Sequence, residues 1–383
     1  MQWRRSAVVV MASAVVLSAC GSDANEDLQG EVVANYAALV HESYAMSVAS
    51  ATEMDAAIDA LAADPTAASL DAARAAWLAA RDDYGPTEAF RFYGGPIDAE
   101  ETGVEGLINA WPLDEAYIDY VEGAPESGLV NLPDDYPTID AELLVSLNEV
   151  GGETNISTGW HAIEFLLWGQ DLADEGPGAR SVDDFTTAPN ADRRLAYLTV
   201  ASDLLLDHLR SLVDAWAPDV ESNYRAEFVA LPSEEALGMI LTGIGELSRG
   251  ELAGERLTVA YEEHSQEDEH SCFSDNTTSD IVANAAGIER VYHGSLGDVA
   301  GPGIHALVAA IDADLATRLE EEIAASVAAA ESIPAPFDQS LAPGVPDDDP
   351  GRVAIQETIL ALELQSETMV EAADLLGLEL NLS

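Results

Sequence analysis

The sequence predicts an all-α protein, and three observations agree on it. Ala and Leu dominate, runs of β-branched residues are short, and apolar residues recur three and four apart through several long stretches. On this period, helices are expected over residues 31–62, 66–83, 190–216, 233–263, 279–292, 304–332 and 352–376. Pro65, Pro189 and Pro232 punctuate three of the starts. Asp71, Asn190 and Ser233 occupy N-cap or first-turn positions, where short polar side chains satisfy the free amides of a first turn.

Ahead of the first helix the chain opens MQWRR, runs apolar from Ala7 to Leu17, and reaches Leu17, Ser18, Ala19 and Cys20 before a polar stretch. An apolar run this short does not span a bilayer. Residues 1–19 therefore read as an export signal, and the order Leu, small, small, Cys is the lipobox of bacterial lipoproteins. Cys20 is then the lipidated N-terminus, 20–30 a tether, and the membrane a partner through the lipid. Ordinary cleavage with an incidental Cys20 is the alternative.

The remaining chain is longer than one compact core usually takes, so two domains are expected. An N-terminal helical bundle is placed at 31–180 and a C-terminal one at 190–383, divided in the Gly, Pro and Asp-rich stretch 174–189. Within the first half, residues 85–159 hold most of the Gly, Pro and aromatic residues, and so read as irregular and functional. Cys272 is the one cysteine besides Cys20, which leaves no disulfide framework.

The charge balance is extreme: 71 acidic residues against 15 basic, every basic one an arginine, for a formal net charge of −56. Nucleic-acid binding is excluded on that balance. The acids are spread along the chain rather than blocked, which fits adaptation to high salt, where ions screen self-repulsion. A single acid in such a chain carries meaning only where its surroundings are apolar or its spacing is special.

Residues 159–171, GWHAIEFLLWGQD, meet that condition. His161 and Glu164 stand in an apolar segment and, on a helix, fall one turn apart on one face. A buried carboxylate needs a hydrogen-bond partner, a raised pKa or a metal ion. The residues alone leave open a metal site and a structural His to Glu hydrogen bond. A second candidate lies between two C-terminal helices, where Glu263, His264, Glu267, Glu269, His270 and Asp275 offer ligands within one or two turns. Its alternative is a solvated turn.

The segment GWHAIEFLLWGQD resembles the GxHxxE signature of the imelysin family, whose members have been described as peptidases and grouped with periplasmic iron-uptake lipoproteins. AWLAARDDYGPTEAFRFYGGPID, INAWPLDEAYIDYV and EDEHSCFSDNT are similar to further imelysin stretches in the same order, so the likeness spans most of the chain. The resemblance implies two helical bundles related by a pseudo-two-fold, with the signature facing a cleft. It also implies Glu88 and Asp98 as partners of His161 and Glu164 in a metal site. Trp77, Arg81, Tyr84 and Glu88 are spaced as one helical stripe if the helix passes Pro86, and Arg81 or Arg91 could instead neutralise the carboxylates.

That oxygen-rich set with an imidazole suits iron, calcium, manganese or zinc better than copper(I) and singles out none of them; the resemblance favours iron, with calcium or zinc as alternatives. The expected function is an envelope lipoprotein that binds a metal cation in iron uptake or homeostasis, with iron-uptake or redox proteins of the envelope as partners. A metallopeptidase using His161 and Glu164 as ligands is the alternative. HExxH spacing, however, is absent: Ala162 follows His161, and no histidine stands four residues on.

Overall fold

The computed structural model describes residues 19–173 and 176–382. Most of the expected export signal and the Cys20 side chain lie outside the described residues. Helices of eight residues or more are numbered here α1 to α9.

Helix α1 (Ala19–Ala63) begins well before the expected residue 31. No proline interrupts 19–30, and Leu28 already packs against the core. α2 (Ala67–Tyr84) starts from a capping box in which Thr66 and Ser69 satisfy each other's backbone amides. Its buried face is Leu70, Ala73, Trp77, Ala80, Arg81 and Tyr84, the three-to-four spacing of a helix against a core. Pro86 does not end the rod; the chain tightens into a 3₁₀ turn, Gly85–Phe90, that carries the buried stripe on to Glu88.

The next stretch is irregular, with short helices at Glu105–Ile108, Glu115–Ile118 and Ala141–Leu147. Gly159 then opens α3 (Gly159–Trp168) at φ +85, and a Cβ there would lie 2.4 Å from the Ile108 carbonyl oxygen. Every residue of α3 is buried, which is why its sequence is apolar all round.

α4 (Ala191–Ala215) and α5 (Ser233–Glu246) follow. The rod expected over 233–263 has that extent, but its centre, Leu247–Thr258, is wound as a π-helix before a last α turn, Val259–Glu263. α6 (Thr277–His293) leads through a two-residue hairpin, Ser295–Leu296 with Val299–Ala300, into α7 (Ile304–Ile311). The single helix expected over 304–332 is two: Asp312 leaves helical geometry and caps the amides of Asp314 and Leu315, starting α8 (Ala313–Ser332). α9 (Pro350–Leu376) closes the chain.

α1 packs along α2 and α4, α8 along α9, and α9 against the π-helix. α6 lies under the 85–90 turn and joins the two halves; Gly287 permits it, since a Cβ would meet the Pro86 carbonyl oxygen at 2.5 Å. Buried apolar residues from Val32 to Leu380 form one continuous cluster. Among the described residues no helix is long and apolar enough to cross a membrane.

Candidate functional site

His161 and Glu164 fall on one face of α3, as their spacing requires, and bond to each other: His161 Nδ1 lies 2.9 Å from Glu164 Oε2. The other carboxylate oxygen, Oε1, accepts from Ser274 twice, from N–H at 3.0 Å and Oγ at 2.7 Å. Ser274 comes from the turn before α6, so this contact crosses between the halves. His161 Nε2 is buried and has no hydrogen-bond partner. The ring packs on Trp111, centroids 4.9 Å apart, and edge-on against His270, centroids 4.8 Å apart.

His270 repeats the arrangement from the C-terminal half. Its Nδ1 sits 3.0 Å from Asp280 Oδ2, and Asp280 in turn pairs with Arg81 at 2.8 Å and accepts from Ser271 Oγ at 2.5 Å. Arg81 also donates to Asn109 Oδ1 at 2.6 Å, and Asn109 Nδ2 reaches Glu88 Oε1 at 3.4 Å. Glu88 Oε2 accepts from Arg91 and from Arg256, each at 2.6 Å. The π-helix supplies Arg256, whose second partner is Glu251 at 2.8 Å. A continuous buried polar network thus runs from α2 to the π-helix, with two imidazole–carboxylate pairs meeting at its end.

Burial sets the protonation states, except where a guanidinium opposes it. Burial pushes the Glu164 carboxyl up to about 8, against the hydrogen bonds from Ser274. Burial also holds His161 well below the usual histidine range, helped by the charge His270 can carry, and takes His270 down to about 4. Glu88 and Asp280 are equally desolvated, yet Arg91 and Arg256 for the first, and Arg81 for the second, hold them far below the carboxylate range. Asp280 is therefore an anion that accepts from His270 Nδ1–H, which leaves Nε2 as a lone-pair donor. His161 takes the same tautomer whenever Glu164 is ionised.

A cavity of about 470 Å³ opens beside this pair, with Trp111, Asn109, Arg256 and His270 in its wall. Six acids line it, Glu105, Glu149, Glu153, Glu251, Glu255 and Asp268, against two arginines, Arg91 and Arg256. His161 lies behind Trp111 and His270 rather than in the wall. The cavity favours cations, and neutral imidazole is the one soft donor at its base.

The four-residue set His161, Glu164, Glu88 and Asp98 does not converge: among the described residues no ligand atoms of these side chains gather within 4.8 Å as a group of three. The reason for Glu88 is its two guanidinium partners, the salt-bridged alternative. Asp98 instead accepts a close hydrogen bond from the Phe92 amide in the 91–98 turn. The second expected group also divides. Glu263, His264 and Glu267 are exposed, whereas His270 turns to His161 and Glu269 and Asp275 turn elsewhere. Cys272 is buried, and its thiol is pushed well up by that burial, as for a packing residue. Asp280, Ser274, Asn109, Trp111, Glu251 and Arg256 were not singled out one by one from sequence. The segments INAWPLDEAYIDYV and EDEHSCFSDNT, carried by the family likeness, contained Asn109, Trp111 and Ser274; the rest had no local signal.

The family model described as Imelysin matches residues 40–369. Iron-regulated protein A of Synechococcus elongatus is 28% identical over 370 residues, covering 93% of this chain and 88% of that protein. Two solved structures share the fold. One, from Parabacteroides distasonis and described as an iron-regulated protein A precursor, aligns with a TM-score of 0.69 at 21% identity over 90% of this chain and 95% of that one. The other, an imelysin-like protein from Psychrobacter arcticum, aligns at 0.65 and 14% identity over 93% and 98%.

Proposed function

The chain belongs to the imelysin family, and from that premise we propose that it is an exported, lipid-anchored envelope protein that binds a metal cation, iron first, through His161 and His270. One observation carries the reading: two imidazoles in ring contact, each with its Nδ1 engaged by a carboxylate, with the buried Nε2 of His161 lacking any hydrogen-bond partner. Carboxylates behind metal-binding histidines fix the tautomer and raise ligand basicity in the same way. Glu164 and Asp280 are positioning residues in this scheme. The remaining coordination positions fall to water or to small oxygen ligands in the acidic cavity, which a cation enters past Trp111.

The name iron-regulated protein A on a relative of similar length supports iron over calcium and zinc, and the imidazole donors disfavour calcium. The Leu17 to Cys20 order supports lipidation and an envelope address, with iron-uptake or redox proteins there as partners. A peptidase reading finds less support. Catalytic zinc usually has three protein ligands, and no third His, Cys, Asp or Glu joins the two imidazoles within 4.8 Å among the described residues.

Anaerobic calorimetric titration of the tag-free, chelator-stripped chain with iron(II) at high salt tests the site. Saturable binding that weakens in both His161→Ala and His270→Ala is expected; unchanged binding in either contradicts it. Palmitate incorporation that persists in Cys20→Ala would remove the lipid anchor from the proposal.

A further inference from the structure

Glu269 is next in sequence to His270 and takes no part in the histidine pair's hydrogen bonds. It is 1% exposed, and its Oε1 has no hydrogen-bond partner. Burial first, and then, after a relieving bond from Thr277, the negative charges of Asp338, Asp275 and Asp171, push its carboxyl well above the usual range. Those three aspartates form a cluster of their own: one ligand oxygen from each lies within 4.8 Å of the other two. Two of them are buried, Asp171 and Asp338.

The cluster gathers three segments far apart in sequence. Asp171 follows α3, Asp275 stands in the turn before α6 beside Glu269, and Asp338 sits in the 3₁₀ turn Phe337–Ser340 between α8 and α9. Backbone amides orient two of the carboxylates, Ala173 N–H donating to Asp171 Oδ1 at 3.1 Å and Gln339 N–H to Asp338 Oδ1 at 2.8 Å. Gln266 donates closely to Asp171 Oδ2. The groups that shift Asp275 include Asp338 and Asp171 and no arginine.

We propose that Asp171, Asp275 and Asp338 form a second cation site, separate from the histidine pair, selective for a hard divalent ion of the calcium class. All three donors are carboxylate oxygens, with no nitrogen or sulfur, and the buried Glu269 adds negative charge nearby. Calcium binds oxygens at roughly 2.4 Å, so two ligands of one ion stand at most about 4.8 Å apart, which is the spread found here. Magnesium demands a tighter octahedron and keeps its waters, so this open set of loop carboxylates favours the larger ion. A bound ion would tie the segment after α3 to both turns of the C-terminal half.

The test is calcium titration of the full, tag-free chain after chelator treatment, in molar KCl so that general screening is already saturated, read by calorimetry and thermal midpoint. Saturable binding with a rise in midpoint is expected. Asp275→Asn and Asp338→Asn should each weaken it by at least about tenfold, while His161→Ala leaves it intact. The two Asn variants remove repulsion without removing bulk, and far-UV circular dichroism checks that they fold. No saturable response in the wild type, an equal response to magnesium, or an undiminished one in both Asn variants would overturn the proposal. Loss of iron(II) binding with calcium binding retained would fault the histidine site alone.

Discussion

Residues 269 and 270 are adjacent, yet they belong to two buried acidic regions that meet the same electrostatic problem in opposite ways. Around His270, three acids of the network have a guanidinium: Glu88 has Arg91 and Arg256, the part-buried Glu251 has Arg256, and Asp280 has Arg81, whereas Glu164 behind His161 has none and rises to about 8. Around Glu269, the strongest influences on Glu269 and Asp275 include three aspartates and no arginine. The first group stays ionised, with Glu88 and Asp280 held low; the second rises, Asp275 to about 7. In a chain of 71 acids and 15 arginines, where an arginine has been placed shows which buried acids serve the fold. Those left without one need a proton or a cation.

The harshest way to break that contrast is Arg256→Met. It leaves Glu88 and Glu251 underpaired in the interior, and a loss of about 3–5 kcal/mol is expected in chemical denaturation. Next comes pH. Asp275 and Glu164 have folded-state pKa values raised to about 7 and about 8, so between pH 5 and those values the folded chain holds protons that the unfolded chain has released. Thermal midpoint in chelator should therefore fall as pH rises through about 7 to 8, and calcium should flatten the Asp275 part of the fall.

The guanidinium-paired acids run the other way. The stability that Glu88 contributes is present above its unfolded value of 4.5 and lost as pH drops below it. Neutral His270, at about 4 against 6.5 unfolded, adds a loss between those values on acidification. A metal-free midpoint that climbs steadily from pH 5 to 9 would refute the assignment of the two regions.

A gentler change sharpens the comparison at the imidazoles. Glu164→Gln keeps the shape but cannot become the anion that accepts from His161 Nδ1–H when a metal binds, so iron(II) affinity should fall about 10–100-fold with the fold retained. The smallest effect belongs to the exposed pair Arg210 with Asp207, 3.4 Å apart. Arg210→Ala should change stability by no more than about 0.5 kcal/mol, measured in the same denaturation series.

Sequence made the helices legible because their buried faces repeat at the helical period, as at Leu70, Ala73 and Trp77. It did not reveal the π winding of 247–258, since apolar spacing there still suits a helix, nor the break at Asp312, whose cap is one acid among many. His161 and Glu164 were legible as the two polar residues of an apolar run. Glu88 was found, but its arginine partner Arg256 arrives from 168 positions away, which no local pattern records. In the 263–275 turn, consecutive polar residues face different directions, so grouping them by proximity joined His270 to acids that serve another cluster. Asp171 closes the singled-out segment GWHAIEFLLWGQD but was not read as a ligand, and Asp338 carried no signal, because an isolated acid in an acidic chain looks like solvated surface.

X-ray absorption spectroscopy at the iron edge, on the reconstituted chain at high salt, tests the central claim most directly. Two imidazole ligands among oxygen donors are expected, falling to one in His161→Ala and in His270→Ala. A shell of oxygens alone, unchanged in both variants, would contradict it.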